Sequence, residues 1–344
     1  MRMILMLGMI LKTLRRPFSS LRFGAFFIAL ALIGLTACSS GSNAESQSSP
    51  TTTIPKIKVV ATTAILGDLA QKIGGDQVDV SVLIPAGADP HEFEASASQV
   101  AKLRDAQMVV ANGLDLEERL TSVLDQAANS GVKVFSVAPL VDPIVITNQD
   151  ESDHGHDHGS ENDKGETLDP HFWLDPTRMA QAASLVADQL IAAGVPATVA
   201  EANAAAYANE AKAAEAQANA ILQSIPPSTR KLITNHDALG YFAQRFGFTV
   251  IGTVIPGGST LAEPSAADVR QLAQLIRTNN LPAIFSESTT SPQFVETIAR
   301  EAGRSVKVVT LPIESFGNDG ITTYSDLIIA IANGIANGLG SRPS

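Results

Sequence analysis

The sequence predicts an α/β protein of two similar lobes, each with a mostly parallel sheet, joined by a long rigid connecting helix. From Lys56 onward, short β-branched runs alternate with longer helical patterns, as α/β units around a parallel sheet require. The same alternation restarts after Pro226-Pro227, and between the two series lies an alanine-rich stretch, Pro176 to Ser224, with almost no strand former. With 344 residues, 45% hydrophobic and 17% charged, the chain is long enough for about two cores and too apolar for disorder.

The first 37 residues have a chemistry of their own. Arg2, Lys12, Arg15, Arg16 and Arg22 are their only charges, and a continuous apolar run from Phe23 to Gly34 follows. This is the n-region and h-region of an export signal, so residues 1–37 are expected to be removed. The small residues of Leu35-Thr36-Ala37-Cys38 resemble the lipobox of bacterial lipoproteins. That resemblance implies that Cys38 carries a diacylglyceryl group and becomes the new N-terminus; the alternative is a signal anchor with an incidental cysteine. More than one acyl chain is needed for stable anchoring. Residues 38–55, rich in Ser, Thr, Asn and Gln, read as a flexible tether.

In the N-terminal lobe, residues 56–193, strands are expected at Ile57 to Ala61, Val78 to Ile84, Met108 to Ala111 and Val132 to Val137. Helices are expected near Ile65 to Ile73, Ala97 to Ala106 and Leu116 to Ala128. The connector occupies residues 194–224. Gly194 suits a helix C-cap and Pro196 the first turn of the next helix. Ala197 to Gln223 would then run about 40 Å at 1.5 Å per residue. Its strong helix formers make it a stiff link that limits lobe motion. In the C-terminal lobe, residues 225–344, strands are expected near Lys231 to Thr234, Thr249 to Val254, Ala283 to Phe285 and Val306 to Val309. Helices are expected at Tyr241 to Phe246, Ser265 to Thr278, Pro292 to Ala302 and Tyr324 to Leu339.

Charge and composition exclude several functions. The net charge of -11 becomes -16 without residues 1–37, which leaves 35 acidic against 19 basic side chains. Nucleic-acid binding needs a clustered basic face, so it is not expected. One cysteine allows no internal disulfide. Neither Gly74-Gly75 nor Gly257-Gly258 has the Walker spacing for a nucleotide.

The chemistry rests on six histidines. Three share a context beside an acidic residue in a predicted loop: Asp89-Pro90-His91-Glu92, Asp169-Pro170-His171-Phe172-Trp173-Leu174-Asp175 and Asn235-His236-Asp237. Loops at the C-terminal ends of parallel strands are where α/β folds bind ligands. The other three, His154, His156 and His158, alternate with carboxylates in the low-complexity segment 150–163. It reads as a solvated loop, or as one that doubles as a weak auxiliary metal site.

These strings, with Ala86-Gly87-Ala88 before the first and Ala238-Leu239-Gly240-Tyr241-Phe242 after the third, resemble the solute-binding lipoproteins of bacterial zinc and manganese ABC importers, the ZnuA-like family. The resemblance runs from Lys56 to Gly340 in the family's order. It implies a metal site between the lobes, with one ligand from each of four segments: His91, His171, His236, and a carboxylate that maps onto Glu314. Asp319 and Glu287 are the alternatives for the fourth position. Three imidazoles and one carboxylate suit Zn2+, whereas Mn2+ prefers more oxygen. In manganese-specific relatives the third position is typically Glu, so His236 favours zinc, with Mn2+ as the alternative. The resemblance further implies a receptor that is not an enzyme, held outside the cytoplasm by its lipid anchor. It would be a monomer that hands its ion to a permease energised by a separate ATPase. A zinc hydrolase would leave one coordination position to water, and the His-Glu-x-x-His helix is absent, since Phe93-Glu94-Ala95 follows Glu92. A metal-binding adhesin or chaperone would use the same fold. Trp173 is expected to pack and position the His171 loop. Asp175, Asp237 and Glu92 are candidate acceptors for imidazole N–H groups.

Overall fold

The computed structural model describes residues 55–146 and 167–340, apart from 256, 263, 304 and 317–319. The signal segment, Cys38, the tether up to residue 54, the histidines of segment 150–163 and Asp319 lie outside the described residues.

The first lobe contains β1 (Ile57–Ala61), α1 (Ala64–Gly74), β2 (Val78–Val82), α2 (Ala97–Asp105), β3 (Met108–Ala111), α3 (Thr121–Asn129) and β4 (Lys133–Ser136). Its four strands form one parallel sheet in the order β2-β1-β3-β4. Two helices follow, α4 (Pro176–Ala193) and α5 (Ala197–Leu222). The second lobe contains β5 (Lys231–Thr234), α6 (Gly240–Phe246), β6 (Thr249–Thr253), α7 (Ala266–Asn279), β7 (Ala283–Glu287), α8 (Gln293–Glu301), β8 (Lys307–Leu311) and α9 (Tyr324–Leu339). Here the sheet resolves into two parallel pairs, β5-β6 and β7-β8. Strands β5 and β7 lie close without sharing a ladder. At their C-terminal ends a side chain makes the bond instead, with Oε1 of Glu287, the last residue of β7, accepting the His236 N–H at 3.3 Å.

Strands β3 and β7 are buried along their whole length, and β1 at all but Lys58, so both of their faces meet apolar cores. Along β1 and β3, Val59, Ala61, Met108 and Val110 face one core, while Val60 and Val109 face another. In β7, Ala283 and Phe285 join that first core and Ile284 a third. The first core is therefore common to both lobes, and α4, α5 and α9 contribute to it. All of this belongs to one compact unit, Thr53–Ser344.

Helix α4 ends on Gly194, whose φ of 114° needs the freedom of a residue without Cβ. Pro196 sits at the N-cap of α5, one residue before the first turn. The 26-residue α5 buries Ala200, Ala204, Tyr207, Ala211, Ala214, Ala218 and Leu222. That spacing of three and four residues makes one continuous face, and its alanines let α4 and α9 approach closely. Among the described residues no helix is long and apolar enough to cross a membrane.

Because Ala211 is fully buried, Ala211→Leu is expected to overpack this face and destabilise the protein by about 1–3 kcal/mol. Ala213→Leu on the exposed face of the same helix is expected to change stability by less than about 0.5 kcal/mol. Thermal unfolding followed by circular dichroism compares the two; equal melting temperatures would remove the shared core as the role of α5.

Candidate metal centre

The two Asp-Pro-His strings fold alike. Proline restricts the backbone between the acid and the histidine, and the aspartate accepts the histidine's own N–H two residues on. Asp89 Oδ1 does so for His91 and Asp169 Oδ1 for His171, both at 2.9 Å. His91 lies in the loop after β2, and His171 opens the single helical turn Phe172–Leu174 that leads into α4. His236 follows β5, where Thr234 Oγ1 donates to the His236 carbonyl at 2.7 Å. Glu314 lies beyond the end of β8.

The structure brings His91, His171, His236 and Glu314 together. All four are buried, and one donor atom from each lies within 4.8 Å of the others. The Nε2 atoms of His171 and His236 are 3.2 Å apart, and Glu314 Oε1 lies 3.4 Å from the first and 3.6 Å from the second. Donors about 2.0–2.1 Å from a tetrahedral zinc ion are spaced by roughly 3.3 Å. Three of the four donors already have that spacing. Among the described residues both ring nitrogens of His91 and both carboxylate oxygens of Glu314 lack a hydrogen-bond partner, so one imidazole lone pair and the carboxylate oxygens are available to a cation.

The other ring nitrogens are fixed from behind. Asp169 Oδ1 is 2.7 Å from His171 Nδ1, and Glu287 Oε1 is 2.7 Å from His236 Nδ1. Each carboxylate places the Nδ1 proton, which leaves Nε2 as the lone pair facing the centre. Gly240 allows Asp169 this close approach, since a Cβ there would stand 2.7 Å from Asp169 Oδ2. The Tyr241 hydroxyl donates to the Asp169 carbonyl at 3.0 Å and holds the same turn. Trp173 packs its ring edge-on to His171, with centroids 5.3 Å apart.

Burial sets the protonation of the cluster. It pushes the imidazoles of His91 and His171 well below their usual range, with the neighbouring rings adding to the effect. It also works against charge on His236, but Glu287, followed by Glu314 and Asp89, outweighs it and lifts that imidazole to about 9. Desolvation raises Glu314 well above an ordinary carboxylate and brings Asp169 to about 7.

Some sequence expectations are corrected here. Asp175 caps α4 and pairs with Arg178 at 2.6 Å. Glu92 is exposed, and no hydrogen bond joins the Asp237 carboxylate to an imidazole among the described residues. The acceptors are Asp169 and Glu287. Asp169 was signalled by its place in the Asp-Pro-His string. Glu287, considered as a fourth ligand, lies behind His236 on the far side of the ring, 51 residues away in the chain, and no local pattern marks that role.

A family model described as "ZnuA: Zinc-uptake complex component A periplasmic" matches residues 59–338. The chain is 31% identical over 290 residues to the zinc-binding lipoprotein AdcA of Streptococcus pneumoniae serotype 4, covering 83% of this chain and 54% of AdcA. It thus spans about half the length of that relative. It is 28% identical over 309 residues to the manganese ABC transporter substrate-binding lipoprotein PsaA of Streptococcus pneumoniae, covering 88% of this chain and 93% of PsaA. Among solved structures it is similar to the periplasmic zinc-binding protein TroA of Treponema pallidum, with a TM-score of 0.72 and 28% identity over 83% of this chain and all of TroA.

If Glu287 orients His236 toward a cation, Glu287→Gln is expected to weaken zinc binding by about 10- to 100-fold while leaving the stoichiometry unchanged. Competition against a chromophoric chelator measures this, and an affinity equal to that of the unmodified protein would remove Glu287 from the site.

Proposed function

The chain belongs to the ZnuA family, and from that premise we propose that it is the extracytoplasmic solute-binding receptor of a metal ABC importer, with Zn2+ as its preferred cargo. The family consists of solute-binding receptors and not enzymes. The observation that carries the reading is the convergence of three buried imidazoles and one buried carboxylate from four separate chain segments. Four protein donors leave no position for the water that a hydrolase would activate. In this reading His91, His171, His236 and Glu314 are the ligands, and Cys38 carries the lipid that keeps the receptor at the membrane surface. The receptor delivers its ion to a permease whose ATPase is a separate subunit. The histidines at 154, 156 and 158 serve as an auxiliary, exchangeable site.

Zinc is favoured over manganese by the donor set, because three nitrogens and one oxygen match a closed zinc site while manganese takes more oxygen. Similarity to relatives named for manganese as well as zinc makes the comparison of the two ions the first experiment. Titration of the form beginning at Ser39 is expected to give one tightly bound zinc and weaker manganese. Replacing any of the four ligands by Ala is expected to reduce zinc affinity by more than about 100-fold, beyond the usual effect of an outer-shell partner. Deleting residues 150–163 is expected to leave the tight zinc in place. Unchanged binding in Glu314→Ala would disprove the fourth ligand, and loss of the zinc on loop deletion would move the principal site.

Protons compete with the metal, since an imidazole must be neutral to ligate. With His236 lifted to about 9 in the metal-free protein, zinc has to displace a proton at neutral pH. Affinity is therefore expected to rise with pH between about 6 and 9, with proton release on binding. Calorimetry in buffers of different ionisation enthalpy detects that release; a binding enthalpy independent of buffer would contradict it.

A further inference from the structure

Glu314 is a buried carboxylate, and among the described residues no hydrogen bond reaches either of its oxygens, so no bond from them fixes its side chain. Its chain neighbours are fixed instead. On one side, the indole N–H of Trp173 donates to the Ile313 carbonyl at 2.9 Å. Trp173 follows His171 by two residues and packs against its ring, and the Tyr324 hydroxyl donates to the Trp173 carbonyl at 2.9 Å. On the other side, Ser315 Oγ accepts the Gly87 N–H at 2.9 Å. Gly87 lies four residues before His91, in a turn closed by the Ala88 N–H donating to the Pro85 carbonyl at 3.1 Å. The residues immediately before and after Glu314 are thus each bonded to a segment that carries a histidine and comes from before the connecting helix.

We propose that these two hydrogen bonds form a clamp that places the Glu314 carboxylate opposite the imidazoles, making Trp173 and Ser315 positioning residues that set how long the metal is retained. This rests on the reading of Glu314 as the fourth ligand. A glutamate side chain has several rotatable bonds, and a displacement of about 1 Å is enough to spoil a coordination site. The imidazoles of His171 and His236 need no such device, because carboxylates brace them directly at Nδ1. Both clamp bonds join a segment before α5 to the segment after β8. A partner that draws those segments apart breaks them together and withdraws the only anionic donor, leaving three imidazoles that hold the ion less tightly. The clamp makes Glu314 the donor that leaves first.

The test measures zinc affinity, the zinc dissociation rate into excess chelator and the metal-free melting temperature in the purified protein. Ser315→Ala, Trp173→Phe and Glu314→Ala are made alone, and the first two are also combined with the third. Ser315→Ala and Trp173→Phe are each expected to weaken zinc binding about 10-fold or more through faster dissociation, in the range of outer-shell effects. In the Glu314→Ala background they are expected to have no further effect, because residues acting through one group are not additive. The metal-free melting temperature of Ser315→Ala is expected to stay within about 2 °C of the parent. Should Trp173→Phe fail to fold, Ser315→Ala carries the test alone. If Glu314→Ala weakens binding but the clamp variants do not, the clamp is wrong and the ligand assignment stands. If the clamp variants weaken binding equally with and without Glu314, their role is general support, and the clamp is again wrong. If Glu314→Ala itself changes nothing, the ligand assignment fails and the clamp with it.

Discussion

Everything in this structure answers to one constraint: three imidazoles and a carboxylate are held out of water with their lone pairs turned toward each other. Desolvation penalises charge on each group, and among the described residues no hydrogen bond reaches either oxygen of Glu314 or either ring nitrogen of His91. A buried polar group left in that condition is destabilising by an amount comparable to a lost hydrogen bond or more. Only a positive charge placed among the four satisfies all of them at once. The protonation pattern follows from the same fact, with two imidazoles driven neutral while His236 keeps a proton under the influence of Glu287. The cluster is stable as a set only when protons or a cation share it.

The fold makes this arrangement possible by seating the loops on a core shared by both lobes. The candidate ligands lie where α/β folds present loops, past the C-terminal ends of parallel strands: His236 after β5, Glu314 after β8 and His91 in the loop after β2. A core common to both lobes, stitched by the alanine face of α5, fixes the distance across which these loops meet. The loops themselves need little structure of their own. A proline, an aspartate accepting the next N–H but one, and a glycine at the point of closest approach hold two of the four donors.

What the sequence disclosed and what it concealed divide along the same line. Every strand and helix expected from the sequence is present within a few residues, because β-branched runs and helical periodicity are local patterns in the chain. The histidines at 91, 171 and 236 were legible as three similar strings. Glu314 was reachable only through a resemblance, since an Ile-Glu-Ser-Phe string carries no signature of its own. The acceptors were partly misassigned for a physical reason. Asp175, Asp237 and Glu92 are adjacent in sequence to ligand histidines or to their strings, but the carboxylate that reaches Nδ1 must approach in the plane of the ring. For His236 that direction is filled by Glu287, from a strand 51 residues later. The division of the second sheet into two pairs was hidden likewise, because β-branched runs specify strands and not which neighbours share a ladder.

Placing the anionic ligand separately from the neutral ones also bears on which ion the proposed receptor keeps. An ion that prefers oxygen would need further carboxylates in its coordination sphere, and among the described residues Asp89, Asp169 and Glu287 lie near the imidazoles, as does the partly exposed Glu118, whose Oε1 is 3.9 Å from His91 Nδ1. The first three are already engaged. Asp89 and Asp169 hold the N–H groups that shape the two Asp-Pro-His turns, and Asp169 and Glu287 also hold Nδ1 atoms on the sides of their rings away from the centre. Recruiting any of them would release the turn or the ring it supports and so weaken a nitrogen ligand for each oxygen gained. For the proposed site the supporting network thus favours the nitrogen-rich donor set, and a change of metal preference would require altering that network, or drawing in Glu118, along with the proposed ligands.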